Sequence, residues 1–114
     1  MYMDIKMAKN HEIPELTNGE FEKFIKSGTV LVDFFADWCM PCVMMVPVIE
    51  ELNDKFKGKI KFGKVNIEDN QILANKFSVR SIPNFVLFKD GKVSKQFVGS
   101  RSEEDFEDEL KHFL

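Results

Sequence analysis

The chain has 114 residues, 44% of them hydrophobic and 31% charged, with a formal net charge of −3. That is one domain's worth of soluble globular protein, with enough apolar material for a core. The acidic balance argues against nucleic acid, which selects a basic face, and no apolar run approaches the roughly 20 residues that span a bilayer.

Residues 1–10 carry mixed charge and three methionines without a period. They read as an extension, either flexible or forming an extra edge strand, and they lack the continuous apolar region of a signal peptide. One domain is expected over 11–114. His11 to Leu16 reads as a short strand that Pro14 confines to an edge. Thr17-Asn18-Gly19-Glu20 has the spacing of a capping box, and Phe21, Phe24 and Ile25 follow at helical spacing until Ser27-Gly28. Val30-Leu31-Val32-Asp33-Phe34-Phe35 reads as a strand buried on both faces.

That strand leads into Cys39-Met40-Pro41-Cys42 at the start of a helix expected to run to about Phe56. Its inner stripe is Val46, Ile49, Leu52 and Phe56, with Met44 and Met45 in the core or on the flank, and Pro47 should bend it near Val43. A turn at Lys57-Gly58-Lys59 precedes a strand from Ile60 to Asn66. Gln71 to Phe77 is a short helix capped by Asp69 or Asn70, and Ser78 to Pro83 is an extended link, because a residue before proline avoids the helical region. Asn84 to Lys89 and Val93 to Val98 form a hairpin around Asp90-Gly91. Ser102-Glu103-Glu104-Asp105 opens a last helix that buries Phe106, Leu110 and Phe113. Twelve phenylalanines against one Trp and one Tyr make Phe the main core filler. Crossover helices imply parallel pairs and the hairpin an antiparallel one, so the fold class is α/β, a mixed sheet with helices on both faces.

The only two cysteines lie at that helix mouth. Residues i and i+3 share a helix face, which brings the two sulfurs within disulfide reach. Cys39, beside unpaired N–H groups and the positive dipole end, should be the more acidic thiol, and Cys42, a turn deeper, the resolving one. Pro41 suits the first helical turn, where its missing N–H costs nothing. Half a zinc site is the rival reading, but zinc needs four ligands, and His11 and His112 stand alone near opposite ends. The expectation is a redox-active Cys39–Cys42 disulfide with no metal and no bound cofactor. Asp33 sits mid-strand among apolar neighbours, where a buried carboxyl has a raised pKa and can exchange a proton with Cys42. Lys64, on a neighbouring strand, is either a partner of Asp33 or an ordinary solvated residue. Met40, between the cysteines, is expected to be exposed, as part of a soft contact surface.

Trp38-Cys39-Met40-Pro41-Cys42, preceded by Val32-Asp33-Phe34 and followed by Pro47, resembles the thioredoxin family. Ser81-Ile82-Pro83 looks like that family's cis-proline loop, Phe88-Lys89-Asp90-Gly91 like its hairpin, and Val98-Gly99 like its second active-site glycine. The resemblance extends from about His11 to Leu114. It implies a thioredoxin fold with a central five-stranded mixed sheet in the order 1-3-2-4-5. It also implies protein disulfide reduction through a mixed disulfide on Cys39, resolved by Cys42. Pro83 would be the cis-proline, Ile82 would offer its backbone to an extended substrate, and Trp38, Ile82 and Gly99 would form the receiving patch beside Met40 and Pro41. The implied partners are disulfide-containing proteins and a thioredoxin reductase, and the implied setting is a cytoplasmic monomer.

Four residues depart from the family pattern. Phe35 stands where a second tryptophan is usual, Met40 where glycine is, Val43 where Lys or Arg is common, and Asn84 where Thr is common. They bear on redox poise and partner choice rather than on the chemistry. The alternatives are a disulfide isomerase or oxidant, and a non-enzymatic binding module on the same fold.

Overall fold

The computed structural model describes residues 13–114; the extension expected at 1–10, and residues 11 and 12 of the expected edge strand, lie outside them. The elements run α1 (Asn18–Ile25), β1 (Thr29–Phe35), α2 (Met40–Lys55), β2 (Lys61–Asn66), α3 (Gln71–Lys76), β3 (Asn84–Lys89), β4 (Lys92–Val98) and α4 (Glu103–Lys111). The sheet order is β2-β1-β3-β4, with β1 and β2 parallel and the other two pairs antiparallel.

Four strands, not five, make the sheet among the described residues. The segment before α1 contributes a single parallel bridge between Glu15 and Lys64 beside β2. Leu16 N–H donates to the Lys64 carbonyl at 2.7 Å and Lys64 N–H to the Pro14 carbonyl at 3.0 Å. Extending this ladder toward the N-terminus would require an N–H from residue 14, and proline has none. In the other direction Thr17 turns away as the α1 cap, with Glu20 accepting from its N–H at 3.0 Å and its hydroxyl at 3.1 Å.

Side chains alternate across β1, and each face is covered. Val30, Val32 and Phe34 pack with Phe21 and Ile25 of α1 and Leu73 of α3. Leu31 packs with Met45, Ile49 and Leu52 of α2 and Phe106 and Leu110 of α4. Asp33, two residues on from Leu31, therefore points to the α2 side. Phenylalanine fills both layers. Phe21, Phe34, Phe77 and Phe88 sit ring to ring at 5.2–6.2 Å on one side, and Phe85, Phe97, Phe106 and Phe113 at 4.9–6.1 Å on the other.

The inner stripe of α2 holds at Ile49, Leu52 and Phe56 as expected and departs from expectation only at its first member, where Met45 stands in for Val46. Cys42, Met45, Ile49 and Leu52 are buried within the helix and Phe56 just beyond it, whereas Val46 is exposed. Those five positions alternate by three and four residues, and Val46 lies about 100° further round. Met45 is 3% exposed and Met44 70%, so only one of the pair is core. The helix is continuous through Pro47. At the hairpin, Asp90 (φ 50°) and Gly91 (φ 85°) both take the positive values of a type I′ turn. The Asp90 carboxylate accepts from Gly28 N–H at 2.9 Å, which pins the hairpin to the start of β1.

On β2, Gly63 faces α1 at close quarters. A Cβ there would lie 2.8 Å from Phe24 Cε2 and 2.9 Å from Leu16 Cδ1. Gly63→Ala is expected to cost about 1–3 kcal/mol through overpacking. Urea unfolding measures this directly, and an unchanged midpoint would show that Phe24 gives way freely.

Candidate active site

β1 ends at Phe35, and the turn through Ala36, Asp37 and Trp38 delivers Cys39 to the α2 N-terminus, with Cys39 N–H donating to the Ala36 carbonyl at 3.1 Å. Cys39 is itself the N-cap, in extended backbone, and its Sγ accepts from Cys42 N–H at 3.2 Å. A sulfur thus occupies the place a Ser or Asp oxygen takes in other helices. Cys39 and Cys42 are joined as a disulfide, with Cα atoms 5.3 Å apart. Pro41 falls in the first turn, as expected. Exposure does not separate the two cysteines, which are 4% and 5% exposed. The hydrogen bond from Cys42 N–H to Cys39 Sγ does separate them.

The rim brings together residues from four places in the chain. Ile82 packs against the cluster of Ala36, Cys39 and Cys42. Its bond to Pro83 is cis, and the Pro83 carbonyl accepts from Gly99 N–H at 2.9 Å. Trp38 and Met40 stand out beside the sulfurs, 64% and 65% exposed. Trp38 Nε1–H donates to Glu68 Oε2 at 2.7 Å, a partner the sequence reading missed. The signal was in the register: parallel pairing of β1 with β2 puts the residues after Asn66 beside those after Phe35, and Ile67 N–H donates to the Phe35 carbonyl at 2.9 Å. The same turn is braced from within, with Asn66 Oδ1 accepting from Glu68 N–H and Asn70 Nδ2 donating to the Asn66 carbonyl.

Asp33 lies behind Cys42. A cavity of about 170 Å³ is lined by both, together with Phe35, Val43, Val46 and Lys64. The Asp33 residue keeps some surface, but its Oδ1 is out of solvent and has no hydrogen-bond partner. Burial pushes the carboxyl up to about 7 from an ordinary 3.8, and the positive field of Lys64 pulls partly back. Lys64 is the register partner of Asp33 on β2, and its Nζ sits 5.8 Å from the centre of the Phe35 ring. No direct ion pair joins the two, so Lys64 acts on Asp33 through space.

A larger cleft of about 790 Å³, lined by Pro14, Phe24, Thr29 and Lys59, lies at the opposite pole, where β1 begins. It shares no residue with the dithiol. Among the described residues no three of His, Cys, Asp and Glu are grouped so as to hold a metal, and the His112 ring contacts the Asp108 carbonyl at 3.0 Å on α4. His11 lies outside the described residues.

Residues 12–112 match the thioredoxin family model. A protein named thioredoxin from Staphylococcus haemolyticus is 42% identical over 102 residues, which span 90% of this chain and 98% of that protein. One of the same name from Staphylococcus aureus is 40% identical over 102 residues, with the same coverage. The chain belongs to the thioredoxin family, and its capped, closed cysteine pair is the redox centre of a dithiol protein disulfide reductase.

Proposed function

We propose that Cys39 is the attacking thiol and Cys42 the resolving one. The observation that carries this assignment is the amide of Cys42 donating to Cys39 Sγ at a helix N-cap. A Cys39 thiolate attacks one sulfur of a target disulfide, and the other target sulfur leaves as a thiolate that takes a proton from water. Cys42 then passes its proton to the Asp33 carboxylate and attacks Cys39 Sγ, which releases the second target thiol and closes the Cys39–Cys42 bond. Two electrons move to the target, and a thioredoxin reductase restores the dithiol. Asp33 suits the proton step because a group titrating near 7 populates both of its forms at neutral pH. Lys64 is the positioning charge that keeps this value from climbing further.

Target proteins dock as an extended segment on Ile82, with Pro83 and Gly99 shaping the loop and Trp38, Met40 and Pro41 forming the apolar rim. Residues 11–114 work as one domain and as a monomer, in cytoplasmic electron transport from the reductase to disulfide-containing proteins. Among the described residues no helix is long and apolar enough to cross a membrane.

Insulin reduction in the presence of dithiothreitol tests the thiol roles. Cys39→Ser should lower turnover on the order of a thousandfold or more. Cys42→Ser should accumulate a mixed disulfide on Cys39, detected by mass. Trapping on neither residue, or unchanged turnover in Cys39→Ser, would contradict the assignment.

The stability of the protein should report on Asp33. Below about pH 4 folded and unfolded chains both hold its proton. Between about 4 and 7 only the folded chain does, so stability falls as pH rises through that window and the loss is complete above it. The difference corresponds to about 4 kcal/mol. Asp33→Ala should therefore melt higher than the parent at pH 8, lose that advantage below pH 4, and reduce insulin roughly ten- to a hundredfold more slowly. A variant that melts lower at pH 8 with full activity would rule out this role.

A further inference from the structure

Gln96 on β4 grips both ends of the link that carries Ile82 and Pro83. Its Nε2 donates to the Phe77 carbonyl at 3.0 Å, where α3 ends, and to Asn84 Oδ1 at 2.9 Å, where β3 begins. Asn84, only 2% exposed, in turn donates from Nδ2 to the Ser81 carbonyl at 3.3 Å. The two outer partners are backbone carbonyls, which only accept. That fixes the orientation of both side-chain amides and makes the chain of donation run one way. A threonine at 84 would have to accept and donate at a single oxygen, whereas the amide accepts at Oδ1 and donates from Nδ2.

The clasp leaves Ile82 uncommitted between two neighbours whose carbonyls are taken. Ser81 spends its carbonyl on Asn84, and Pro83 spends its carbonyl on Gly99 N–H. Among the described residues neither the N–H nor the carbonyl of Ile82, which lies between them, has a backbone partner. Ile82 also packs against the dithiol cluster. We propose that Asn84 and Gln96 are positioning residues that hold Ile82's free backbone groups in line with an extended, disulfide-bearing segment, and so set the affinity for protein disulfides.

This rests on the docking role given to Ile82 above. The clasp touches no reacting atom, so its loss should be felt by substrates with a peptide backbone and not by a small disulfide. Gln96 is half-buried, and Gln96→Met keeps its length while removing the donor; Gln96→Glu keeps its shape and also removes it. In both variants KM for insulin should rise roughly three- to tenfold, the effect of one or two lost hydrogen bonds, with kcat within about twofold. The rate with the small aromatic disulfide 5,5′-dithiobis(2-nitrobenzoate) should stay within about twofold. In parallel, amide exchange at Ile82 is measured in a Cys42→Ser background with a cysteine-containing hexapeptide trapped on Cys39. Trapping should slow Ile82 exchange, and less so when Gln96→Met is added. Slowed exchange that is equal with and without Gln96→Met, together with an unchanged KM, overturns the clasp and leaves the docking role standing. No slowing in the Cys42→Ser background overturns the docking role and the clasp with it. Equal losses toward insulin and the small disulfide overturn the positioning role in favour of general damage.

Discussion

A carboxyl group with one oxygen withdrawn from water on the α2 side of the central strand is the constraint on which the site depends. Asp33 shares its strand face with Leu31 and faces a helix whose buried positions are otherwise Met45, Ile49 and Leu52. Nothing donates a hydrogen bond to its Oδ1, and the charge that acts on it most, Lys64, reaches it only through space. An apolar residue there would favour folding at neutral pH, because an ionised buried carboxylate is costly. The rest of the fold must therefore be stable enough to tolerate the acid. Two ring clusters of phenylalanine, a pinned hairpin and two-sided cover of β1 supply that tolerance.

Around the sulfurs, polar groups do the positioning and apolar groups exclude water. Cys39 caps its own helix, Glu68 holds the indole of Trp38, and Asn66 and Asn70 brace the turn that presents Glu68. Asn84 and Gln96 do for the Ile82–Pro83 link what Asn66 and Asn70 do for that turn. Each of these side chains fixes a loop at the C-terminal end of β1 or beside it, with Trp38, Met40 and Ile82 around the dithiol. That arrangement suits a reaction in which partners differ and the attacking sulfur must stay in one place.

Much of this was legible in the chain because it is local. Two cysteines three apart at a strand-to-helix junction, a Thr17/Glu20 cap and an Asp90-Gly91 turn each carry their physics within a few residues. The burial of Asp33 followed from its apolar neighbours. What was missed is either a phase or a long-range partner. Val46 was placed inside and Met45 left open because the first half of the α2 stripe falls in a stretch from Met40 to Ile49 with no charged residue to mark the outer face, whereas Ile49, Leu52 and Phe56 were placed correctly. A short edge strand was expected from His11 to Leu16, and among the described residues it amounts to one bridge, with Pro14 offering no N–H beside it. Glu68 and Gln96 lie 30 and 12 residues from the groups they hold, Trp38 and Asn84, and only strand register brings them there.

The central claim is most directly tested by following the carboxyl carbon of Asp33 by NMR in protein labelled with ¹³C aspartate, over pH 4 to 9 in the oxidised state, with Asp33→Asn identifying the resonance. The account predicts a midpoint near 7, well apart from the other aspartates. A midpoint near the ordinary 3.8 would show that the group is solvated or paired, and would remove the proton acceptor from behind Cys42.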